Sequence, residues 1–245
     1  MIDLSVIIPT YNEEANIDRS AGAVVEYLKA GSRSWELLVV DDGSTDGTLA
    51  AAEALAAAEP GVRVMPHTPN HGKGYVVRQG MLAAKGTVRL FLDADYSTPI
   101  EECEKLLRHL AGNCHVAIGS RRQADAQIET KPPLHRYVMG EAYITLAAWL
   151  LGTRLTDLNC GFKAFTAEAA ERLFGLQHRD DWSFDAEVLA LAARLGYRVK
   201  EVSVRWAHVQ TTSKVRPIRD AVKSFAALLG IRHDLRRGVY GLHDA

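Results

Sequence analysis

Cysteine is scarce in this 245-residue chain, and what there is follows no pattern. Cys103, Cys114 and Cys160 form no CxxC pair and no zinc-type spacing, which excludes a metal finger and a disulfide framework. An odd, unpatterned set predicts reduced thiols and a cytoplasmic setting. Long hydrophobic runs are also missing. The longest, Ala142 to Leu151, falls well short of the roughly 20 residues that span a bilayer. The chain opens Met-Ile-Asp-Leu-Ser, with no basic segment and apolar stretch of the secretory kind. A net charge of −1 gives no general attraction to nucleic acid. There is no GxGxxG, which disfavours a nicotinamide-dinucleotide fold, and no GxxxxGK[ST], which excludes a P-loop. Internal repeats and low-complexity linkers are lacking as well. One domain is therefore expected over residues 1–229, followed by a basic C-terminal tail over 230–245.

What is present is a core-forming alternation of strand and helix. Apolar content of 47% against 24% charged residues is enough to build one large core. Continuous apolar runs at 4–10, 35–40, 62–65 and 87–92 predict buried strands. Helical segments at 15–28, 48–58, 73–84 and 100–111 follow them in turn. Further on, strands are predicted at 115–119 and 198–205, and a strand and turn over 157–165. Helices are predicted at 136–151, 168–174, 185–195 and 218–229. The class is α/β, with a mostly parallel sheet covered by helices on both faces. In such sheets ligands bind beyond the carboxyl ends of the strands.

The polar motifs fall at those ends. Leu90-Phe91-Leu92 runs directly into Asp93-Ala94-Asp95, two carboxylates spaced i, i+2. Without a Cys/His cluster, such a pair suits a hard divalent cation that leaves positions open for phosphate oxygens. The plain alternative is a strand cap and turn. The second strand ends in Asp41-Asp42-Gly43-Ser44-Thr45-Asp46-Gly47-Thr48. An acid there can accept a hydrogen bond from a base or ribose, or it can form an ordinary Asx turn. Thr10-Tyr11-Asn12-Glu13-Glu14 offers donors and acids at a helix start and also reads as a capping box. In Asn70-His71-Gly72-Lys73-Gly74, a lysine between two glycines suits a diphosphate or a closing loop.

In order, these four motifs resemble those of the family-2 glycosyltransferases. Gly119-Ser120-Arg121, Asp157 to Lys163, Trp182 to Glu187 and Ser213-Lys214-Val215 are similar to the polyprenyl-phosphate sugar synthases, the dolichyl-phosphate glucose branch above all. The resemblance implies a GT-A (Rossmann-like) fold and an inverting transfer of a hexose from a nucleoside-diphosphate sugar. UDP-glucose is the favoured donor and GDP-mannose the second candidate. It places Pro9, Tyr11, Glu13, Asp41 and Asp42 around the nucleoside and Lys73 in a loop near the nucleotide. Asp93 and Asp95 become the DXD pair for Mg²⁺ or Mn²⁺, with Asp95 the direct ligand. Arg121, Arg136, Ser213 and Lys214 would face the acceptor phosphate or the donor diphosphate, and Asp157 and Lys163 would lie below the sugar site.

A phosphate acceptor is already ionised and needs no general base. An alcohol acceptor does, and Asp185 or Glu187 is then the candidate. The rival readings are a soluble glycosyltransferase with a hydroxyl acceptor and a non-catalytic sugar-nucleotide-binding subunit. Eight Lys/Arg against two Asp between Arg205 and Arg237, together with the short apolar segment 142–151, predict peripheral contact with the cytoplasmic membrane face.

Overall fold

The computed structural model describes residues 2–123, 125–128, 134–207 and 217–242, with backbone alone over 134–139 and 217–222. The predicted alternation is present. β1 (Ile2–Thr10) leads to α1 (Glu14–Ala30), β2 (Trp35–Asp41), α2 (Thr48–Ala58), β3 (Val62–Pro66), α3 (Lys73–Ala83) and β4 (Gly86–Leu92). A short 3₁₀ turn precedes α4 (Cys103–Leu110), then come β5 (Val116–Ser120), β6 (Gln127–Ile128) and α5 (Leu134–Leu151). The chain continues through β7 (Phe162–Thr166), α6 (Ala167–Leu176), α7 (Phe184–Arg194), β8 (Val199–Ser203), β9 (Arg205–Trp206) and α8 (Pro217–Arg236).

Seven strands form one sheet in the order β3-β2-β1-β4-β7-β5-β8, and β6 pairs with β9 apart from it. All pairings in the large sheet are parallel except those of β7, which runs antiparallel to both β4 and β5. From β1 the chain winds outward through β2 and β3, then returns to place β4 on the other side of β1. That reversal leaves a crevice between the carboxyl ends of β1 and β4, where doubly wound sheets bind ligands. Pro9 helps to open it. The β1–β4 register ends at Ile7↔Phe91, whereas the β1–β2 register continues through Pro9↔Val40 to Thr10↔Asp41. Pro9 therefore lies beyond the last β4-paired residue, where its missing N–H breaks no bond on that side.

Alternation along the strands feeds two cores. Ile7, Leu38, Val40 and Phe91 pack with α3, α5, α6, α7 and α8. Val6, Ile8, Leu37, Val39, Leu90 and Leu92 face α1 and α4. α1 shows why it covers the sheet, since Ile17, Ala21, Val24 and Leu28 recur at helical spacing and are buried.

Two expectations change. The segment 157–165 was expected as strand and turn, but regular strand begins only at Phe162, because the preceding loop carries Asp157 and Gly161 into the site. Over residues 230–242, where a tail was expected, the described chain packs on the core. α8 continues to Arg236, and Ile231 and Tyr240 are buried. Gly230, where the helix was expected to stop, is used for its lack of a side chain: a Cβ there would meet Arg179 Nη2 at 3.1 Å. Arg179 reaches across this gap to pair with Asp234 on the next turn.

Candidate active site

The carboxyl ends of β1, β2 and β4 bring most of the predicted residues to one edge. At the end of β4, Asp93 is fixed by its backbone: its N–H donates to Gly161 O at 3.0 Å, and its own carbonyl accepts from Tyr96 N at 3.2 Å. Its side chain lies flat over Gly161, where a Cβ would come within 2.0 Å of Oδ2. Lys73 Nζ is 2.5 Å from Asp93 Oδ1 and 4.7 Å from the centre of the Trp182 ring. Burial works against the Lys73 ammonium, but Asp93 and Asp185 outweigh it and hold its pKa above the ordinary lysine value.

Asp95 sits two residues on. Its Oδ1 accepts from Ser97 N at 2.9 Å, and its carbonyl accepts from Arg19 Nη2 at 3.0 Å. Burial and then the Asp93 charge push its carboxyl above the usual range. A carboxylate raised by its neighbour in this way, with acceptor positions left on it, fits a site for a hard divalent cation. Among the described residues no cluster of three or more His, Cys, Asp or Glu side chains could hold a metal. A cation on Asp93 and Asp95 would therefore complete its shell with ligand or water oxygens. Tyr96, at φ 56°, and Asn12, at φ 53°, are the non-glycine residues in the left-handed region among those described. Both lie on this edge, the usual place for functional backbone strain.

The β1 and β2 loops are stitched together. Asn12 N donates to Ser44 Oγ at 2.9 Å, and Asn12 Oδ1 accepts from Thr45 N at 2.7 Å. Glu13 N donates to Thr48 Oγ1, and its carboxylate accepts from Asn16 Nδ2. Tyr11 is 37% exposed at the mouth and Pro9 is buried beneath it. Asp41 accepts from Gly43 N, Ser44 N, Ser44 Oγ and Thr10 Oγ1, which makes it the organiser of its own turn. Asp42 accepts from Asn70 Nδ2, His71 N and Gly72 N, each at 2.8 Å. It ties the lysine loop to β2.

The glycines beside Lys73 have a steric reason rather than a mobile one. A Cβ at Gly72 would be 2.5 Å from Asp180 O, and one at Gly74 would be 2.6 Å from Arg179 O. Gly72 also has φ +110°. The 179–181 backbone therefore lies directly against the lysine loop, and it carries Trp182 over Lys73.

Arg121 is gripped by Asp157. Its backbone N–H, Nε and Nη2 donate to that carboxylate at 3.0, 2.7 and 2.8 Å. Burial opposes ionisation of Asp157, but the hydrogen bonds and charge of Arg121 prevail and hold its carboxyl below the usual range. The guanidinium also stacks 5.3 Å from the Trp206 ring. Expected to face phosphate, Arg121 has this fork committed to Asp157. Arg136 lies on α5, within the span where only backbone is described; Ser213 and Lys214 lie outside the described residues.

The two proton-acceptor candidates are both buried and hydrogen-bonded within the protein. Asp185 is buried and accepts from Lys163 Nζ at 2.5 Å, and Lys163 also donates to Cys160 O at 2.6 Å. Burial raises the Asp185 carboxyl against the pull of Lys163 and Lys73. Glu187 is 0% exposed and accepts from His178 N, Arg179 N and Tyr240 Oη. Their i, i+2 spacing at a helix start was visible, but the partners that occupy them come from β7, from the loop before α7 and from the C-terminus. Residue patterning missed Gly161, Trp182 and Arg19 as site residues. Gly161 and Trp182 left a trace, as members of the motifs Asp157 to Lys163 and Trp182 to Glu187; Arg19 left none.

A family model described as "Glycosyl transferase family 2" matches residues 5–174. The dolichyl-phosphate beta-glucosyltransferase of Drosophila melanogaster is 36% identical over 231 residues, covering 88% of this chain and 70% of that protein. The Saccharomyces cerevisiae protein of the same name is 33% identical, over 98% of this chain and 77% of its own length. The human one is 31% identical, over 98% and 78%. Glucosyl-3-phosphoglycerate synthase of Mycobacterium tuberculosis has been crystallised with Mn²⁺, UDP-glucose and phosphoglyceric acid. That structure matches with a TM-score of 0.70 at 23% identity, over 95% of this chain and 80% of that one. A second structure of it, with Mg²⁺ and UDP, gives 0.69 at 22% identity. These likenesses establish the GT-A fold. Since the family model covers both halves of the candidate crevice and sequence identity above 30% extends along almost the whole chain, this protein belongs to glycosyl transferase family 2 and is a glycosyltransferase.

Proposed function

We propose that the chain transfers glucose from UDP-glucose, with inversion, to a polyprenyl phosphate, with GDP-mannose as the second donor. The observation that carries the acceptor choice is the state of Asp185 and Glu187. An alcohol must lose a proton as it attacks, and these two acids are buried and occupied. A phosphate monoester attacks as an anion and needs only cations to bind it. The names of the relatives agree, being dolichyl-phosphate beta-glucosyltransferases over nearly the whole chain.

In this reading the nucleoside lies in the β1–β4 crevice, beside Pro9, Tyr11, Glu13 and the Asp41–Asp42 turn. Lys73 meets the diphosphate, held in place by Trp182 on one side and Asp93 on the other. Mg²⁺ or Mn²⁺ on Asp95 and Asp93 would supply positive charge to the departing nucleoside diphosphate. Arg121 keeps the loop after β5 in place through Asp157 and adds its field to the sugar site. Arg136, Ser213 and Lys214 are assigned to the acceptor phosphate.

The test is transfer from labelled UDP-glucose and GDP-mannose to a short polyprenyl phosphate, with Mg²⁺, Mn²⁺ or excess chelator. Lipid-linked glucose formed with metal, with the β-anomer as product, is expected. Transfer to a sugar or glycan hydroxyl, with the polyprenyl phosphate inert, would overturn the reading and favour the soluble-acceptor alternative. Nucleotide-sugar binding with neither transfer nor hydrolysis would favour a non-catalytic subunit.

A further inference from the structure

A second cleft, of about 630 Å³, opens where the end of α5 meets the end of α8. Trp149, Leu150, Leu235, Arg232, Arg236 and Arg237 line it. Trp149 is 72% exposed, and the Arg232 guanidinium lies 5.2 Å from its ring centre. On α8, Leu229, Arg232 and Arg236 follow at i, i+3 and i+7, so they form one stripe along the helix. Leu229 is 58% exposed, and nearby Val239 is 50% exposed. Among the described residues Arg232, Arg236 and Arg237 have no carboxylate partner; Asp234, the acid on this turn, is taken by Arg179. The outward residues of α5, Ala142, Thr145 and Trp149, are uncharged, as is every residue from 142 to 151.

A large exposed aromatic beside uncovered aliphatic side chains marks an interaction surface, and the three guanidinium groups around it, well solvated in water, give that surface a positive rim. Together they match one partner. Trp and Leu suit the boundary between headgroup and acyl chain, and arginine forks suit lipid phosphates. We propose that the α5–α8 corner docks on the surface of a bilayer containing anionic phospholipid. Trp149 and Leu229 enter the headgroup region, and Arg232, Arg236 and Arg237 contact lipid phosphates. α5 then lies along the membrane plane. Glu141, which pairs with Arg122 next to Arg121, is about 12 Å along the helix axis from Trp149. The acceptor side of the crevice is thereby held close to the lipid surface. No helix among the described residues is long and apolar enough to cross a membrane, so this contact is peripheral.

The docking surface is separate from the transfer chemistry, and its test reads binding rather than turnover. The full chain is mixed with phosphatidylcholine vesicles, with or without phosphatidylglycerol, and the bound fraction is measured by flotation. Binding is expected on the anionic vesicles only, falling with added salt, together with a blue shift of tryptophan emission that Trp149→Phe removes. Each arginine neutralised to Gln should lower partitioning about fivefold, and R232Q/R236Q/R237Q by on the order of 100-fold, while the three Lys replacements retain most of it. Arg236 and Arg237 are exposed, so R236Q/R237Q keeps the fold and suffices if the triple variant does not. Transfer to a short, water-soluble polyprenyl phosphate should be unchanged in these variants, which separates a failure here from a failure of the acceptor assignment. Equal binding to neutral and anionic vesicles, unaltered binding of the Gln variants, or binding of inorganic pyrophosphate at this cleft without vesicle partitioning would each overturn the proposal.

Discussion

Gly161→Ala should inactivate the enzyme while sparing its fold. Gly161 has no left-handed φ, so alanine is acceptable to the backbone. The new methyl group is the whole perturbation, and it would stand 2.0 Å from Asp93 Oδ2, 2.2 Å from Cγ and 2.4 Å from Oδ1. Ordinary carbon contacts lie near 3.5 Å, so the carboxylate has to withdraw by about 1.5 Å. Its 2.5 Å contact with Lys73 is then lost. The Asp93 side chain is 29% exposed and has room to turn outward. The stability cost should therefore lie at the low end of the roughly 1–3 kcal/mol typical of overpacking, about 2–4 °C in Tm for a chain of this size. Catalysis is less forgiving, because a displacement of about 1 Å in a positioned group costs on the order of 100-fold. The assay pairs kcat/KM with calorimetric titration of UDP in the presence of Mn²⁺ and with a melting curve. Gly175→Ala, where nothing lies within 4 Å of the added methyl, serves as the control with unchanged activity. A Gly161→Ala enzyme with normal kcat/KM and normal UDP affinity would refute the placement of Asp93 in the site.

Asp95→Asn should abolish turnover with an unaltered melting curve; near-normal turnover, in this variant or in excess chelator, would remove the metal from the mechanism. Asp185→Asn should cost about 3–5 kcal/mol of stability by stranding the buried Lys163 ammonium, and K163M/D185L should recover most of it; urea denaturation of both variants decides. Asp157 has its folded pKa below its unfolded value of about 3.9, so its contribution is complete above that pH and lost as pH falls through the folded value. Asp157→Asn should thus flatten the acid limb of a plot of urea midpoint against pH, and a limb of unchanged slope would contradict the Arg121–Asp157 assignment.

The reach of the sequence differs between parts of the site for physical reasons. A buried parallel strand is a continuous apolar run, so β1, β2 and β4 and the position of their carboxyl ends could be read directly. Asp93, Asp95 and Lys73 were legible because each interrupts or follows such a run, and the winding of the sheet then brings them together. Direction is another matter. β7 is buried on both faces, and nothing in Phe-Lys-Ala-Phe-Thr distinguishes an antiparallel from a parallel neighbour. The hidden partners of Asp185 and Glu187 were illegible for a related reason. An acid pair at a helix start has the same local pattern whether it faces substrate or a buried lysine. Only the return of β7 between β4 and β5 puts Lys163 beneath α7, and only the long α8 brings Tyr240 to Glu187.

The glycines extend this argument. Gly72, Gly74 and Gly161 could be read as flexible elements of loops, but each marks a surface on which another part of the chain rests: Asp180, Arg179 and the Asp93 carboxylate. The loop before α7 lies against Gly72 and Gly74, and the loop before β7 lies under Asp93. Lys73 is thus set from one side by Trp182 and from the other by Asp93, before any ligand arrives. In the proposed reaction, an ammonium already desolvated and aimed at Asp93 would need little rearrangement to meet a diphosphate, which is the condition under which electrostatic stabilisation of a leaving group is most effective.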